Sequence, residues 1–270
     1  MKKYLIMFLF AFDLFAQIDA NTPKALKEFI QMRDSLVENF AEKKGFTKTF
    51  SDKEIFDITK IFYTLIKDNP VEYMSYIYEE HKRVDQEIRQ GKNNLKNLPK
   101  YKLGKLNILI TNQYGKKFAE ILGNPYFLRV RILKITPWIY HSISANSDFK
   151  AFSMECQIEE VVKGENRFKV NDVVTINLLA YWLEEINSIF EINKSYFLPV
   201  KTWGCYDGFC EKLAINPFSD ENGAIYPIIE EIVYTTKNYF NIGEKTNWEE
   251  FKTKFKEKYI NLFELEGKED

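Results

Sequence analysis

Hydrophobic and polar residues alternate along four runs in the middle of the chain. In the first run, Leu128, Val130 and Ile132 fall on one face, while Arg129 and Arg131 fall on the other. A period of two is typical of β-strands, whose successive side chains point to opposite faces of a sheet. Little helical sequence separates the runs, which favours antiparallel pairing. The pattern therefore predicts a small barrel or sandwich built on residues 126–135, 152–164, 173–178 and 195–200.

Two of these runs contain an irregularity. The second run changes phase at Glu159 and Glu160, because the Val161 and Val162 that follow are both apolar. This change predicts a β-bulge, which helps a sheet to curve toward closure. In the last run, Pro199 lacks a backbone donor, so we expect this strand to lie at an edge or to end early.

Helical periodicity dominates residues 21–100, ahead of the strands. Proline and capping residues mark three helix starts, at Thr22-Pro23, at the capping box of Ser51 with Glu54, and at Asn69-Pro70. Apolar residues then recur at helical spacing and need a partner surface. Polar residues 92–105 are interpreted as a linker or long loop. We therefore expect three helices that pack on one another or on the strands.

The barrel region, residues 101–270, also contains segments outside the four runs. Residues 106–110 fit a short strand or the start of a helix, and residues 111–122 fit a short helix closed by Gly123. Residues 178–190 fit a strand or a helix equally well.

The last seventy residues are interpreted as an irregular excursion, 201–232, followed by a helix. Asn247 with Glu250 forms a second capping-box pattern at the start of that helix. Its apolar stripe consists of Trp248, Phe251, Phe255 and Tyr259. These patterns together predict an α+β fold with an N-terminal helical region and a C-terminal helix.

The strand sequences resemble a known family. The segments that carry the resemblance are 159–164 (ending in Lys163-Gly164), 170–176 and 192–198. They are similar to the netrin-like module, the OB-type barrel also found in tissue inhibitors of metalloproteinases. The resemblance covers roughly residues 106–202 and implies an antiparallel OB-like β-barrel. Asn193 stands where the family has glycine. The chain lacks the family's disulfide framework and N-terminal cysteine, so no inhibitory site is implied.

The first twenty residues have the pattern of a signal peptide. Lys2-Lys3 is followed by an apolar segment from Tyr4 to Phe12, and Ala16 or Ala20 could precede the cleavage site. The apolar segment is too short to span a bilayer of about 30 Å as a helix. We therefore expect an exported protein, periplasmic or secreted, with no integral membrane segment after signal removal. The alternative is an uncleaved hydrophobic helix.

Composition and charge narrow the possible partners. The chain has 38 basic and 39 acidic residues, a net charge of −1, so no global charge favours nucleic acid. Its hydrophobic content of 45% and aromatic content of 16% are sufficient for a packed core.

Cys205 and Cys210 flank a turn signal at Asp207-Gly208. In an exported protein they are candidates for a small disulfide that closes this turn, and two free thiols are the alternative. His81 and His141 have no ligand spacing to these cysteines, so we expect no metal site. No cofactor-binding motif is present either.

Other candidate reactive residues have simpler interpretations. Cys156 falls on the apolar face of its strand and is expected to be a buried core residue. His81 falls on the packing face of a helix. His141 is placed in a loop after the first strand, where it could face a cleft.

The leading functional hypothesis is a non-enzymatic binding or interaction module whose ligand is an unidentified protein or small molecule. Its binding surface is placed on the excursion, at Trp203, Tyr206 and Phe209, because irregular loops on rigid barrels commonly carry recognition. One alternative is an exported hydrolase that uses carboxylates or His141. Another, implied by the resemblance alone, is a protease inhibitor.

Overall fold

A computed structural model describes residues 24–41, 51–91, 99–142, 147–179, 189–202, 212–215, 224–235 and 238–261. The helices are α1 (Lys24–Ala41), α2 (Asp52–Asp68), α3 (Pro70–Arg89), α4 (Pro99–Tyr114), α5 (Lys116–Leu122) and α6 (Trp248–Tyr259). The strands are β1 (Tyr126–Ser142), β2 (Ser147–Lys163), β3 (Val173–Leu179), β4 (Ser195–Thr202), β5 (Leu213–Ile215), β6 (Tyr226–Ile229), β7 (Ile232–Tyr234) and β8 (Lys245–Asn247).

The first five strands form a closed barrel. Their order is β1-β2-β3-β5-β4, and β4 pairs back onto β1. Neighbouring strands are antiparallel except β3 and β5, which are parallel. The short strands β6, β7 and β8 continue the sheet from the side of β4. The predicted α+β class, the barrel and the C-terminal helix are therefore confirmed.

The barrel interior follows the predicted alternation. Arg129 and Arg131 of β1 lie outside the barrel, whereas their apolar neighbours are fully buried. The interior is filled by Leu128, Val130, Ile132, Met154, Cys156, Ile158, Ile176, Leu178, Tyr196, Leu198 and Val200. Burying such side chains is the main favourable contribution to folding, at about 25 cal/mol per Å² of apolar surface.

The predicted β-bulge is confirmed, but the interpretation of Pro199 is wrong. Arg129 and Val130 pair with Glu160 and Ile158, so Glu159 is an extra residue in β2. Strand β4 lies inside the sheet, with β1 on one side. On its other side, β6 pairs up to Phe197 and β5 pairs from Val200, so Pro199 lies between two ladders. A residue without an N–H is tolerated there.

The helical region matches the sequence in part. The Ser51–Glu54 capping box is present at the start of α2. The predicted loop 92–105 is wrong from Pro99 onward, because α4 begins there and continues through residues 106–110. Gly115, at a φ of +89°, separates α4 from α5 and divides the single helix predicted for residues 111–122.

The region after β3 is more regular than the sequence indicates. The excursion 201–232 contains strands β5 and β6, so its description as irregular is wrong for those residues. Residues 180–188, 203–211 and 216–223 lie outside the described part of the chain. Asn247 caps α6 through the backbone N–H of Glu249, at 3.0 Å, and Glu250 instead pairs with Lys254.

The outer face of the barrel packs against α6 through an aromatic layer. Phe197 of β4 is fully buried at its centre. Its ring lies within 6.4 Å, centroid to centroid, of the rings of Phe127, Tyr226, Phe240, Trp248, Phe251 and Phe255. Such edge-to-face and stacked pairs contribute about 0.5–1.5 kcal/mol each beyond their buried area. This layer attaches α6 and β6–β8 to the barrel.

A buried lysine joins the helices to the other end of β2. The Lys163 ammonium donates hydrogen bonds to the carbonyls of Leu122 (3.2 Å) and Asn124 (2.7 Å), and it lies 5.0 Å from the Tyr63 ring centroid. A buried charge is tolerated only when such partners replace water. The segment after α5 is thereby held on the barrel.

Among the residues that the structure describes, no helix has the length and apolar character needed to cross a membrane.

Candidate functional site

An open groove of about 650 Å³ runs along the outside of the barrel beside β3. We call it the β3 groove and define it by Ser153, Arg167, Asp172, Val173, Thr175, Asn177 and Lys212, all of which line it. Four parts of the chain supply these residues: the outward faces of β2 and β3, the connection 164–172, and Lys212, which directly precedes β5. Small-molecule sites are usually clefts in which a few polar groups converge beside apolar side chains, and this groove combines both kinds of residue.

The side-chain amide of Asn177, one of the groove residues, links three strands of the barrel. Ser153 donates a hydrogen bond to Asn177 Oδ1 at 2.7 Å, and Asn177 Nδ2 donates to the Leu213 carbonyl at 2.9 Å. At this point β5 joins β3, through the pairs Ile176–Leu213 and Asn177–Ala214. This ladder of two residue pairs is the shortest in the barrel, and the Asn177 side chain adds a hydrogen bond across it.

Before these two pairs, the described residues give β3 a strand neighbour on the β2 side only. Val173, Val174 and Thr175 pair with β2, opposite Gln157, Cys156 and Glu155. On the groove side, no strand within the described ranges pairs with these three residues. The Val173 side chain is 56% exposed. The start of β3, with the exposed side chain of Val173, therefore borders the groove.

The connection between β2 and β3 supplies a rigid, positively charged wall. Arg167 donates from Nη1 to the Tyr126 hydroxyl at 2.9 Å, and its guanidinium lies 5.4 Å and 5.6 Å from the ring centroids of Tyr126 and Phe168. Burial raises the pKa of the Tyr126 hydroxyl, and Arg167 partly offsets this shift. The backbone N–H of Lys169 donates to Asp172 Oδ2 at 2.8 Å, which fixes the end of the connection.

The opposite wall is formed by Lys212, which is exposed. The lining therefore combines two cations with one carboxylate, Asp172. Among the described residues, no group of three or more histidine, cysteine or acidic side chains is placed to hold a metal ion. The arrangement suits recognition of a polar or anionic ligand.

A second charged cluster lies on the outward face of β1 and β2. Arg129 donates to Glu159 at 2.9 Å and, through both terminal nitrogens, to Glu231 at 2.7 and 2.6 Å, while Arg131 also donates to Glu159. The Arg129 guanidinium lies 5.3 Å from the Trp248 ring centroid. The cluster therefore ties β1 and β2 to the turn before β7 and to α6, which is a structural role.

The ion pairs of this cluster control the titration of its acids. Burial opposes ionisation of Glu159, but hydrogen bonds from Ser195, Arg129 and Arg131 outweigh it and lower the pKa of Glu159. The hydrogen bond from Arg129 lowers the pKa of Glu231.

We expect this cluster to make the free energy of unfolding depend on pH in the acidic range. Because both carboxyl pKa values are lower in the folded chain than the ordinary 4.5, the contribution is full above about pH 4.5 and is lost as pH falls through the folded values. Replacing Glu159→Gln should cost about 2 kcal/mol at pH 7 and should shrink the fall in stability between pH 7 and pH 3.5. Urea unfolding at both pH values measures this.

The matched control is Glu155→Gln, which changes an exposed acid on the same outward face of β2. It should leave the pH dependence at its wild-type size. An equal reduction in both variants would contradict a specific role for Glu159.

Several residues singled out from the sequence lie outside the described part of the chain. They are Trp203, Tyr206 and Phe209 of the proposed binding surface and Cys205 and Cys210 of the proposed disulfide, all of which stay predictions. In the sequence, these residues fall between Thr202, the end of β4, and Lys212 at the wall of the β3 groove.

The structure places the backbone of the other candidate residues, Cys156, His81 and His141. Cys156 is a free, fully buried core residue, as predicted, and burial raises the pKa of its thiol to about 12. The placement of His141 in a loop is wrong, because β1 continues to Ser142 and His141 pairs opposite Asp148. The side chains of His81 and His141 are outside what the structure describes.

Sequence reasoning missed the groove and its two cations. Asn177 was a weak signal, because an amide within the apolar run of β3 needs hydrogen-bond partners once the strand is buried. Arg167 and Lys212 gave no signal in the sequence, because they lie 45 residues apart. They line the same groove only once the barrel has closed.

Comparisons of the chain with protein-family models, with curated proteins and with solved structures find no match.

Proposed function

We propose that this chain is an exported binding module, that its barrel is OB-like, and that it recognises its ligand in the β3 groove. The observation that carries the proposal is the groove itself: about 650 Å³, with hydroxyl, amide and cationic groups converging beside the exposed start of β3. The signal-peptide pattern of residues 1–20, which lie outside the described ranges, supports the exported location.

The topology of the barrel supports the OB-like assignment. The strand order β1-β2-β3-β5-β4, closing on β1 with β3 and β5 parallel, is the order of OB barrels. These barrels bind their ligands on the face of the second and third strands and with the adjoining loops. The β3 groove lies on that face, and the excursion with Trp203, Tyr206 and Phe209 connects to its wall at Lys212.

The alternatives lack a comparable observation. A hydrolase needs two acids, or an acid with His141, across one cleft. Asp172 is the single carboxylate among the groove residues that the structure describes. A metalloproteinase inhibitor of the netrin-like type would present its N-terminus to the enzyme. Here α1 begins at Lys24, and its residues Leu26 and Phe29 are buried.

The proposal is tested with a ligand panel and one blocking substitution. The chain from residue 21 is screened by thermal denaturation against acidic and basic peptides, oligosaccharides, nucleotides and fatty acids. A ligand of the groove should raise Tm by about 5 °C at saturation, by mass action. Val173→Trp adds a large uncharged side chain to the groove from an exposed position and should abolish the shift.

Ile192→Trp is the matched control, because Ile192 is an exposed apolar residue of similar accessibility, at 52%, and is not among the residues that line the groove. It should keep the full shift. A ligand whose effect survives Val173→Trp binds elsewhere, and a panel without any shift would count against a binding function.

A further inference from the structure

The connection 164–172 carries one wall of the β3 groove, since Arg167, Phe168 and Asp172 all line it. It begins with a tight turn. The backbone N–H groups of Arg167 and Phe168 both donate to the Gly164 carbonyl, at 3.0 and 3.2 Å. Because these bonds close the turn, a displacement of any residue within it also moves the two groove residues Arg167 and Phe168.

The same turn caps helix α2. Asn166 donates from Nδ2 to the Lys67 carbonyl at 2.9 Å and to the Asp68 carbonyl at 3.4 Å. Both carbonyls belong to the last turn of α2, where the carbonyl groups have no partner within the helix itself. A side chain from the barrel therefore completes the end of a helix in the N-terminal region.

The start of α3 lies beside the same wall. Arg167 donates from Nη1 to the Tyr126 hydroxyl at 2.9 Å. Burial raises the pKa of that hydroxyl, and the nearby carboxylate of Glu72, in the first turn of α3, raises it further. The end of α2 and the start of α3 are therefore both close to the residues that fix Arg167.

We infer that the helical region sets the position of this groove wall, with Asn166 as a positioning residue. Loosening α2 releases the connection 164–172, and with it the groove residues Arg167 and Phe168. The consequence for ligand binding rests on the proposed function, whereas the coupling itself is a property of the folded chain.

The coupling is measured by amide hydrogen exchange, followed by NMR on the full chain from residue 21. Ser51→Ala removes the capping box at the opposite end of α2 and should raise the exchange rates of the α2 amides about fivefold. Because the connection opens together with α2, the exchange rates of the Arg167 and Phe168 amides should rise about threefold.

Asn166→Ala should uncouple the two segments. In this background, adding Ser51→Ala should change the exchange rates of the Arg167 and Phe168 amides by less than about 1.5-fold. Lys169→Ala is the matched control, because Lys169 is an exposed residue of the same connection and is not among the residues that line the groove. In the Lys169→Ala background the threefold response should remain.

Three results would overturn the inference. Unchanged exchange of Arg167 and Phe168 after Ser51→Ala would show that α2 does not hold the wall. A response that survives Asn166→Ala would assign the coupling to a different contact. An equal rise at the Ile132 amide, which is hydrogen-bonded within the barrel, would mean global unfolding in place of a local coupling.

Ligand binding separates this inference from the proposed function. For a panel compound whose Tm shift is abolished by Val173→Trp, Asn166→Ala should weaken binding about threefold and Lys169→Ala should not. Unchanged affinity in Asn166→Ala would overturn the positioning role while the proposed function stands. If no panel compound binds, the proposed function fails and the exchange rates alone decide the coupling.

Discussion

Replacing Phe197→Ala should lower the free energy of unfolding by about 4 kcal/mol, the range found when a buried aromatic side chain is truncated. Phe197 is fully buried, and its ring lies between β1, β6 and α6. Six aromatic neighbours would lose a contact at once, and their rings are too rigid to collapse into the cavity. Urea unfolding followed by Trp fluorescence measures the change.

Phe197→Leu is the control, because leucine keeps much of the volume and should cost about 1.5 kcal/mol. The alanine variant should also loosen α6 before the barrel, since the cavity lies at their interface. Hydrogen exchange would show this as early loss of protection in Trp248–Tyr259. Equal costs for the two variants would contradict the central position of Phe197.

This aromatic layer shows what could be predicted from the sequence. The stripe of Trp248, Phe251 and Phe255 is visible as a period of about four residues, so the helix and its buried face are predictable. Its partner is not, because Phe197 lies on the outward face of a strand, where a polar residue is the usual expectation. Which outward face is covered depends on contacts between residues about fifty positions apart.

The strands themselves were predictable because period-two alternation is a local property. The ends of the strands were not predictable. Strands β1 and β2 continue beyond the barrel to Ser142 and Ser147, where they are held in strand geometry by pairing with each other rather than by a buried face. Pro199 was misread for a similar reason, since its tolerance depends on the gap between two neighbouring ladders.

The candidate site was the least predictable part. Its cations, Arg167 and Lys212, come from separate connections and carry no local motif. Among the described residues, β5 pairs with β3 at two positions, a feature that no periodicity reveals. Lys163-Gly164, the end of β2 that carries the netrin-like resemblance, leads into the connection 164–172, but nothing in that pattern indicates a groove.

Gly164→Ala is the second substitution for which we expect a large loss of stability. Its φ is +113°, a backbone conformation that residues with a Cβ rarely adopt, and an added Cβ would lie 2.7 Å from Tyr126 Cδ1. Tyr126 is fully buried and its hydroxyl is bonded to Arg167, so its ring has no room to move aside. Gly164→Ala should therefore lower the free energy of unfolding by about 3 kcal/mol, measured by urea denaturation.

Gly115→Ala is a matched control, because Gly115 also has a positive φ, +89°, but no atom lies within 4 Å of an added Cβ. It should cost about 1 kcal/mol, the backbone strain alone. The difference between the two variants measures the collision with Tyr126, and equal costs would contradict it. Because Arg167 is hydrogen-bonded to Tyr126, we expect the same collision to displace Arg167 at the wall of the β3 groove. Under conditions where both variants are folded, Gly164→Ala should therefore weaken ligand binding in the groove and Gly115→Ala should not.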